Sequence, residues 1–309
     1  MSGTEDKGGS VESAVGDGVD RDTAATESAA AELVDFFAAR ETVTVLGGAG
    51  CSTASGIPDY RDDVGNWKND RPVLFADFVS SARVRQRYWA RSFVGWNRIS
   101  SARPNRAHIA LAMLERAGRI NCLITQNVDN LHRAAGSRNV IDLHGVLDRI
   151  RCLCCRRTTL RREFQARLEE LNPDRNVEVR AFTPDGDAQL ARDDVERFSV
   201  PGCSACGGIL KPDVVFFGEA VPVDRVHRAR AFLQRSDALL IVGSSLMVFS
   251  GLRFARMAYA HGKQIAIVNR GTTRADGIAS LRLTGDCGQL LAAIAESFCF
   301  GGEKKGNEQ

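Results

Sequence analysis

The sequence of 309 residues contains no run of about 18 apolar residues, the length that a membrane-spanning helix requires. Its acidic, Gly/Ser/Ala-rich N-terminus also lacks the apolar stretch of a secretory signal and the basic character of a transit peptide. We therefore expect no membrane partner and a cytoplasmic location. The composition, 44% hydrophobic and 26% charged, excludes collagen-like, coiled-coil and wholly disordered chains, and it suits one large domain or two modest ones.

A dense basic stripe, the usual mark of a nucleic-acid-binding protein, is also lacking. Of the net charge of +3, the first 30 residues hold seven acidic and two basic side chains, which leaves +8 for the rest. This mildly basic body would suit a nucleotide pyrophosphate or an acidic partner, and we expect no nucleic-acid partner. Residues 1–27 and 301–309 are predicted to be disordered tails.

Short apolar stretches alternate with helical patterns, which predicts a Rossmann-like α/β fold: a parallel sheet with helices on both faces. Strands are expected at 42–46, 120–125, 237–242 and 264–268, and helices at 28–40, 103–118 and 251–262. Two segments interrupt the pattern, a helical insert at 62–100 and a cysteine-rich zinc module at 150–210. The Rossmann-like domain would then comprise 28–61, 101–149 and 211–300.

Glycines follow the first strand. Gly47, Gly48 and Gly50 would let the backbone approach a pyrophosphate, and the next helix N-terminus would favour its charge. Thr53 stands where a full G-x-G-x-x-G motif has its third glycine, so a tight strand-to-helix turn is the alternative. The segment GIPDYR that ends at Arg61 is harder to explain as a plain turn.

Polar side chains follow two further strands. The segment TQNVDN at 125–130 could bind ribose hydroxyls and a carboxamide at a strand end, or could simply cap the next helix. His144 follows the short strand NVIDL and is a candidate general base, because its ordinary pKa lies near neutrality. A lone histidine is more often structural, but its place at a second strand end favours the catalytic interpretation. The other four histidines are interpreted as structural.

Nine cysteines, an odd number, argue against a disulfide framework. Cys152 and Cys155, with Cys203 and Cys206, form two C-x-x-C pairs with the ligand spacing of tetrahedral Zn²⁺. Four thiolates would fill the coordination sphere, so the zinc would be structural, with one ion per chain. Cys154 is then a spare, and free thiols are the alternative.

The apolar run at 207–219 is either a core strand or an edge that pairs with an extended peptide. Two further clusters, GSS at 243–245 and NRG at 269–271, also stand at predicted strand ends. Together the clusters at strand ends predict one shared nucleotide crevice.

These motifs, GAGCS, GIPDYR, TQNVDNLH, HG, the C-x-x-C pairs, KPDVVFFGE, GSS and the late Asn269, stand in an order that resembles the sirtuin family over residues 28–299. The segments RQRYWARSFVGW and PDGD are similar to the class II branch, which includes a mitochondrial member with weak deacetylase activity. The resemblance implies an NAD-dependent protein-lysine deacylase that converts acyl-lysine proteins to free lysine, nicotinamide and O-acyl-ADP-ribose. Its general base would be His144, with a rate contribution of about 10²–10⁴.

The resemblance also assigns the remaining site residues. Asn127 and Asp129 would join His144 in catalysis. NAD would be bound by Gly48, Ala49, Gly50, Ser52, Gly56, Ile57, Asp59, Tyr60, Arg61, Gln126, Asn127, Val128, Asp129, Gly243, Ser244, Ser245, Asn269, Arg270, Gly271 and Cys287. The acyl-lysine and its peptide would contact Val215, Phe216, Phe217, Gly218 and Glu219.

Some residues depart from the family pattern or leave alternatives open. Asp62 and Asp63 stand where serine is common, which leaves the behaviour of the cofactor loop open. Arg83, Arg87 and Arg91 lie on one predicted helix face, either as a solvated surface or as part of an acyl pocket that prefers acidic acyl groups. The alternative functions are mono-ADP-ribosyltransferase, NAD glycohydrolase and non-enzymatic NAD sensor.

Overall fold

A computed structural model of the chain describes residues 16–68, 72–173 and 196–300. The expected tail at 301–309, residues 1–15 of the N-terminal tail and most of the polar stretch with PDGD lie outside the described residues.

The larger sheet consists of six parallel strands, β1 (Val43–Gly47), β2 (Ile120–Thr125), β3 (Val140–Asp142), β7 (Ala238–Val242), β8 (Gln264–Val268) and β9 (Leu281–Leu283). They lie in the order β3-β2-β1-β7-β8-β9. Every residue of β1 and β7 is buried, as expected for central strands with helices on both faces. The predicted α/β fold class is therefore confirmed.

Helices cover both faces of this sheet. The described α-helices are α1 (Gly16–Ala38), α2 (Phe75–Ser80), α3 (Ala82–Ser101), α4 (Arg106–Arg116), α5 (Leu131–Ala134), α6 (Arg161–Leu171), α7 (Val223–Arg235), α8 (Phe249–Ala260) and α9 (Cys287–Phe300). One apolar core joins α1, α4 and α9 to the sheet, and a second joins α7 and α8 to its other face.

Helix α1 begins at Gly16, so the prediction that residues 16–27 belong to a disordered tail is wrong. The cause is local composition: the segment AATESAAAE at 24–32 is rich in alanine, the residue with the highest helix propensity. Leu33 and Phe37, both fully buried, anchor the C-terminal half of the helix in the core. Once that half is packed, extending the helix toward its N-terminus requires no new nucleus.

The two predicted inserts form one small domain with a shared core. Its antiparallel sheet has the order β5-β4-β6, built from β4 (Gly145–Cys152), β5 (Thr158–Leu160) and β6 (Leu210–Val214). Helix α3 of the helical insert meets α6 of the cysteine module where the ring centroids of Trp89 and Phe164 lie 4.6 Å apart. The buried Arg161 donates to the carbonyl of Ser92 at 3.2 Å across the same contact.

The strand order reverses at the centre of the large sheet. From β1 the chain proceeds outward through β2 and β3 on one side, and from β7 through β8 and β9 on the other. Ligands of open α/β sheets bind beyond the carboxyl ends of the strands at such a switch point. The predicted polar clusters after β1, β2, β3, β7 and β8 all stand at this edge.

Candidate active site

The glycine loop after β1 lies directly against the end of β7. The amide of Gly48 donates to the carbonyl of Val242 at 3.0 Å, and that of Gly50 donates to Gly243 at 2.8 Å. A Cβ atom on Gly48 would lie 2.6 Å from the Cβ of Ser244, and one on Gly50 would lie 2.8 Å from the Cα of Gly243. Glycine is thus required at both positions, because the two loops at the switch point touch through their backbones.

Asn127, Ser52 and Asp129 form a hydrogen-bonded chain under this loop. The side-chain Nδ2 atom of Asn127 donates to the Ser52 hydroxyl at 2.9 Å and to the Gly48 carbonyl at 3.0 Å. Ser52 in turn donates to Asp129 at 2.7 Å. Burial raises the pKa of Asp129, while the hydrogen bond from Ser52 opposes that rise. These hydrogen bonds connect the loop after β2 to the glycine loop.

His144, just after β3, has both ring nitrogens in hydrogen bonds. Its Nδ1 lies 2.9 Å from the carbonyl of Gln126, and its Nε2 lies 2.7 Å from the hydroxyl of Ser250. A carbonyl can only accept, so Nδ1 carries the proton and the Nε2 lone pair accepts from Ser250. Burial lowers the pKa of His144 to about 4, so the ring is neutral at pH 7. A neutral imidazole with a lone pair on the cavity side has the form that a general base requires.

One cavity of about 810 Å³ unites the predicted clusters. Most of the predicted NAD and acyl-lysine residues line it, together with His144; Ser52, Gly56, Ile57 and Asp129 do not. Ser52 and Asp129 lie behind Asn127, and Ile57 packs in the small-domain core. The carbonyl of Gly56 accepts from Arg98 at 2.6 Å.

The loop after Gly56 closes one side of the cavity, and Asp62 stabilises its turn. The Asp62 carboxylate accepts from the backbone of Asn66 at 2.7 Å, and that hydrogen bond lowers the pKa of Asp62. The carbonyl of Asp63 accepts from the backbone of Thr272 at 3.0 Å, which links this loop to the loop after β8. The ring of Trp67 lies 5.5 Å from that of Phe217. The side chain of Asp62 thus has a structural role in the loop, whereas Asp63 contributes its backbone carbonyl.

The residues after β6 form another wall of the cavity, and they form a turn instead of the predicted strand. The strand ends at Val214, so the apolar run at 207–219 is only in part a β-strand. Glu219 accepts from the buried Lys211 at 3.0 Å and from the backbone of Phe216 at 2.9 Å, which fixes the turn. The amide of Val215 donates to the carbonyl of His144 at 2.7 Å, so this wall is attached to the histidine.

The arginine face of α3 lies away from the cavity. Tyr88 lines the cavity, whereas Arg83, Arg87 and Arg91 are absent from its wall. Arg83 pairs with Glu196 at 3.1 Å on the surface. This placement favours the solvated-surface interpretation for Arg83 and gives no support to an acidic-acyl pocket built from these three side chains.

Sequence reasoning missed three cavity residues on α8, Phe249, Ser250 and Arg253. A serine or arginine in an amphipathic helix carries no motif that would distinguish it. The sequence feature that could have pointed to this part of α8 is Gly251. A glycine is needed there because a Cβ atom would lie 2.4 Å from the Oε1 atom of Gln126. This close approach brings the first turn of α8 to His144.

The four predicted zinc ligands converge in the small domain. The Sγ atoms of Cys152, Cys155, Cys203 and Cys206 all lie within 4.8 Å of one another. Two of the separations are 3.6 Å, between Cys152 and Cys206, and 3.7 Å, between Cys155 and Cys203. Four sulfurs at about 2.3 Å from a central zinc would be about 3.8 Å apart, so the set fits a tetrahedral ion. Cys154, as expected, is not part of the set.

The fold and the crevice define a nucleotide-binding α/β protein with a cysteine-bearing small domain. The profile of the Sir2 family matches residues 48–250, and the chain belongs to that family. It is 54% identical over 264 residues to an "NAD-dependent protein deacetylase" of Xanthomonas campestris pv. campestris (strain 8004), covering 85% of this chain and 90% of the relative.

Two further comparisons extend this similarity. The chain is 49% identical over 266 residues to the Bos taurus "NAD-dependent protein lipoamidase sirtuin-4, mitochondrial", covering 85% of this chain and 84% of that protein. A solved structure described as "Sir2-p53 peptide-NAD+" is 30% identical with a TM-score of 0.69, covering 88% of this chain and 98% of its own. In the described part of the chain, no helix is both long and apolar enough to span a membrane.

Proposed function

We propose that this protein is an NAD-dependent protein-lysine deacylase whose general base is His144. Membership of the Sir2 family and the activities for which its relatives are named support the reaction class. One observation carries the residue assignment: the unprotonated Nε2 of His144 lies in the same cavity as the glycine loop and the Val215–Glu219 wall. Co-substrate and acyl-lysine can therefore meet at one base.

Each residue near His144 has a separate role in the proposed reaction. Gln126 fixes the tautomer of His144 through its carbonyl, so Nε2 is the atom that takes a proton from a ribose hydroxyl. Asn127 orients the nicotinamide side, and Ser52 and Asp129 act behind it as positioning residues. NAD supplies the ADP-ribose group that accepts the acyl group when nicotinamide leaves.

The residues that we assign to the cofactor lie around the switch point of the large sheet. We assign the phosphates to the glycine loop with Gly243 and Ser244, and the adenosine side to Ser245, the loop at 269–271 and Cys287. A cavity of about 810 Å³ lies in the range of about 300–1,000 Å³ that is usual for ligand and cofactor sites. Asp59, Tyr60 and Arg61 belong to the loop that covers it.

The substrate peptide extends the small-domain sheet. Strand β6 is an edge strand in the order β5-β4-β6, which leaves one side for an extended peptide. The acyl chain then contacts the apolar side chains of Tyr88, Val128, Leu147 and Phe216 on the cavity wall. This lining favours aliphatic acyl groups.

The four-cysteine set would hold one structural zinc ion. Thiolates that occupy all four positions leave none for water, so the ion would fix the small domain and take no part in the reaction. The class II affiliation, the cytoplasmic location and the lack of a nucleic-acid partner stay predictions.

The test is product mass spectrometry. The protein would be incubated with NAD and one peptide whose lysine carries acetyl, longer aliphatic, lipoyl or acidic acyl groups in turn. We expect nicotinamide release that depends on the acyl group and O-acyl-ADP-ribose as co-product, with both abolished in His144→Ala. Acyl-independent nicotinamide release, or ADP-ribose transferred to protein, would overturn the proposal.

A further inference from the structure

Arg253 lies on α8, one helical turn after Ser250, and lines the cavity that contains His144. Its Nε atom is buried and has no hydrogen-bond partner among the residues that the structure describes. The guanidinium carbon stands 5.3 Å from the centroid of the Phe249 ring. An unpaired buried donor on a cation costs free energy, which a bound anion would recover.

The other basic side chains on this cavity wall already have partners. Arg61 donates to the carbonyl of Gly65 at 2.6 Å, Lys68 pairs with Asp59 at 2.6 Å, and Arg270 pairs with Asp286 at 2.9 Å. No ion pair to Arg253 occurs within the described ranges. Its charge also lowers the pKa of His144, which places it near the reacting end of the cavity.

The surroundings of Arg253 point to a ligand that enters from solvent. Phe249 is 55% exposed, so it stands at the rim of the cavity. The wall at Val215–Glu219, where we place the peptide, lines the same cavity. A guanidinium that lies over an aromatic ring and has an unpaired Nε–H is suited to bind a carboxylate at two points.

We propose that Arg253 is a specificity residue that binds a carboxylate of the substrate, namely an aspartate or glutamate side chain next to the acyl-lysine. The inference rests on the deacylase function proposed above. The net charge of +8 outside the first 30 residues agrees with an acidic partner.

The test uses acetyl-lysine peptides with aspartate, alanine or lysine at each of the three positions on either side of the modified lysine. We expect the wild type to prefer aspartate at one position by about tenfold or more in kcat/KM, mainly through KM. Arg253→Met should abolish that preference. Arg256→Met is the matched control, because Arg256 stands 6.0 Å from the same Phe249 ring and is not on the cavity wall; it should keep the preference.

Indifference of the wild type to aspartate at all positions would overturn the proposal, as would a preference that survives in Arg253→Met. A preference for glutaryl- over acetyl-lysine that Arg253→Met abolishes would assign the carboxylate to the acyl group and overturn the flanking-residue assignment. A raised KM for NAD with unchanged peptide selectivity would place Arg253 on the cofactor and also overturn it.

Peptide binding by fluorescence anisotropy separates this inference from the proposed function. The same acetyl-lysine peptides carry a fluorescent label and are mixed with the protein without NAD, so the measurement needs no turnover. An Arg253-dependent preference for aspartate in binding supports the subsite even if every peptide fails as a substrate.

Discussion

The Nε2 atom of His144 lies 2.7 Å from the hydroxyl of Ser250, so a serine of the same chain occupies the lone pair of the proposed base. The ring is held from both sides, because Gln126 fixes Nδ1 at 2.9 Å. A ribose hydroxyl that binds at Nε2 has to replace Ser250. The two hydrogen bonds therefore orient the His144 ring before any substrate binds.

We expect Ser250→Ala to raise the pKa of His144. The Ser250 hydroxyl donates to the neutral imidazole and so opposes protonation; losing one such bond corresponds to a shift of up to about one unit. The acid limb of the pH profile of kcat/KM, which reports the free enzyme, should move to higher pH. NMR titration of the His144 ring measures the same shift without turnover.

Ser250→Thr is the control for this experiment, since it keeps the hydroxyl and should titrate like the wild type. An unchanged His144 titration in Ser250→Ala would show that the hydrogen bond has no influence on the base.

Lys211→Met is expected to destabilise the fold by about 3 kcal/mol, because it leaves the Glu219 carboxylate without its buried partner. The two side chains are 5% and 24% exposed and their charged atoms are 3.0 Å apart. The turn that Glu219 fixes also forms the peptide wall, so KM for the peptide should rise. Urea unfolding and steady-state kinetics measure the two effects.

Arg83→Met serves as the matched comparison for Lys211→Met. It breaks the pair with Glu196, whose side chains are 76% and 57% exposed, and such exposed pairs contribute less than about 1 kcal/mol. Equal losses in the two variants would contradict the assignment of a buried structural role to Lys211.

The fold is expected to lose stability as the pH falls from about 6.5 to 4. Burial lowers the pKa of His108 to about 4, and that of the neighbouring His132 falls well below its ordinary value for the same reason. Below pH 6.5 the unfolded chain thus binds protons that the folded chain excludes. For His108 alone the loss amounts to about 3 kcal/mol once both states have titrated.

His132→Leu should flatten this pH dependence, because both ring nitrogens of His132 are buried without a hydrogen-bond partner among the described residues. His227 lies on the exposed side of α7 and serves as the control. His227→Gln should leave the pH dependence of the free energy of unfolding parallel to that of the wild type. Urea unfolding at pH 5 and 7.5 provides the measurement, and a steeper curve for His132→Leu would contradict the explanation.

The four-cysteine set is expected to hold one zinc ion in the purified protein. Cys203→Ser and Cys155→Ser should lose the ion and lower the melting temperature, since the cysteine module and the helical insert share one core. Cys154→Ser should retain one zinc per chain by elemental analysis. A wild-type protein without zinc, or a Cys203→Ser variant that keeps it, would rule out the four-cysteine site.

The principal strands and the edge where the site lies were predictable because buried parallel strands have a strong apolar signature. Polar residues that end such strands must meet at one edge of the sheet, so the placement of Gly48, Asn127, His144 and Ser245 around one cavity followed from their positions in the sequence. The start of α1 was missed, since an acidic alanine-rich segment satisfies the criteria for both a tail and a helix.

Contacts between distant segments were not predictable in the same way. The helical insert and the cysteine module read as separate units, yet Trp89 and Phe164 pack in one core. Whether an arginine on α3 reaches a cavity depends on how that helix is rotated against its neighbours, and periodicity alone leaves this undetermined.

The sequence by itself determined the fold class, the order of the ligand-binding clusters and the four convergent cysteines, because periodicity and short-range spacing are local properties of the chain. Only the tertiary structure decided that Asp129 lies behind Ser52, that Ser250 bonds to His144 and that the Nε atom of Arg253 has no hydrogen-bond partner among the described residues. Those relationships join residues up to 106 positions apart, and their geometry is fixed by how whole helices pack against the sheet.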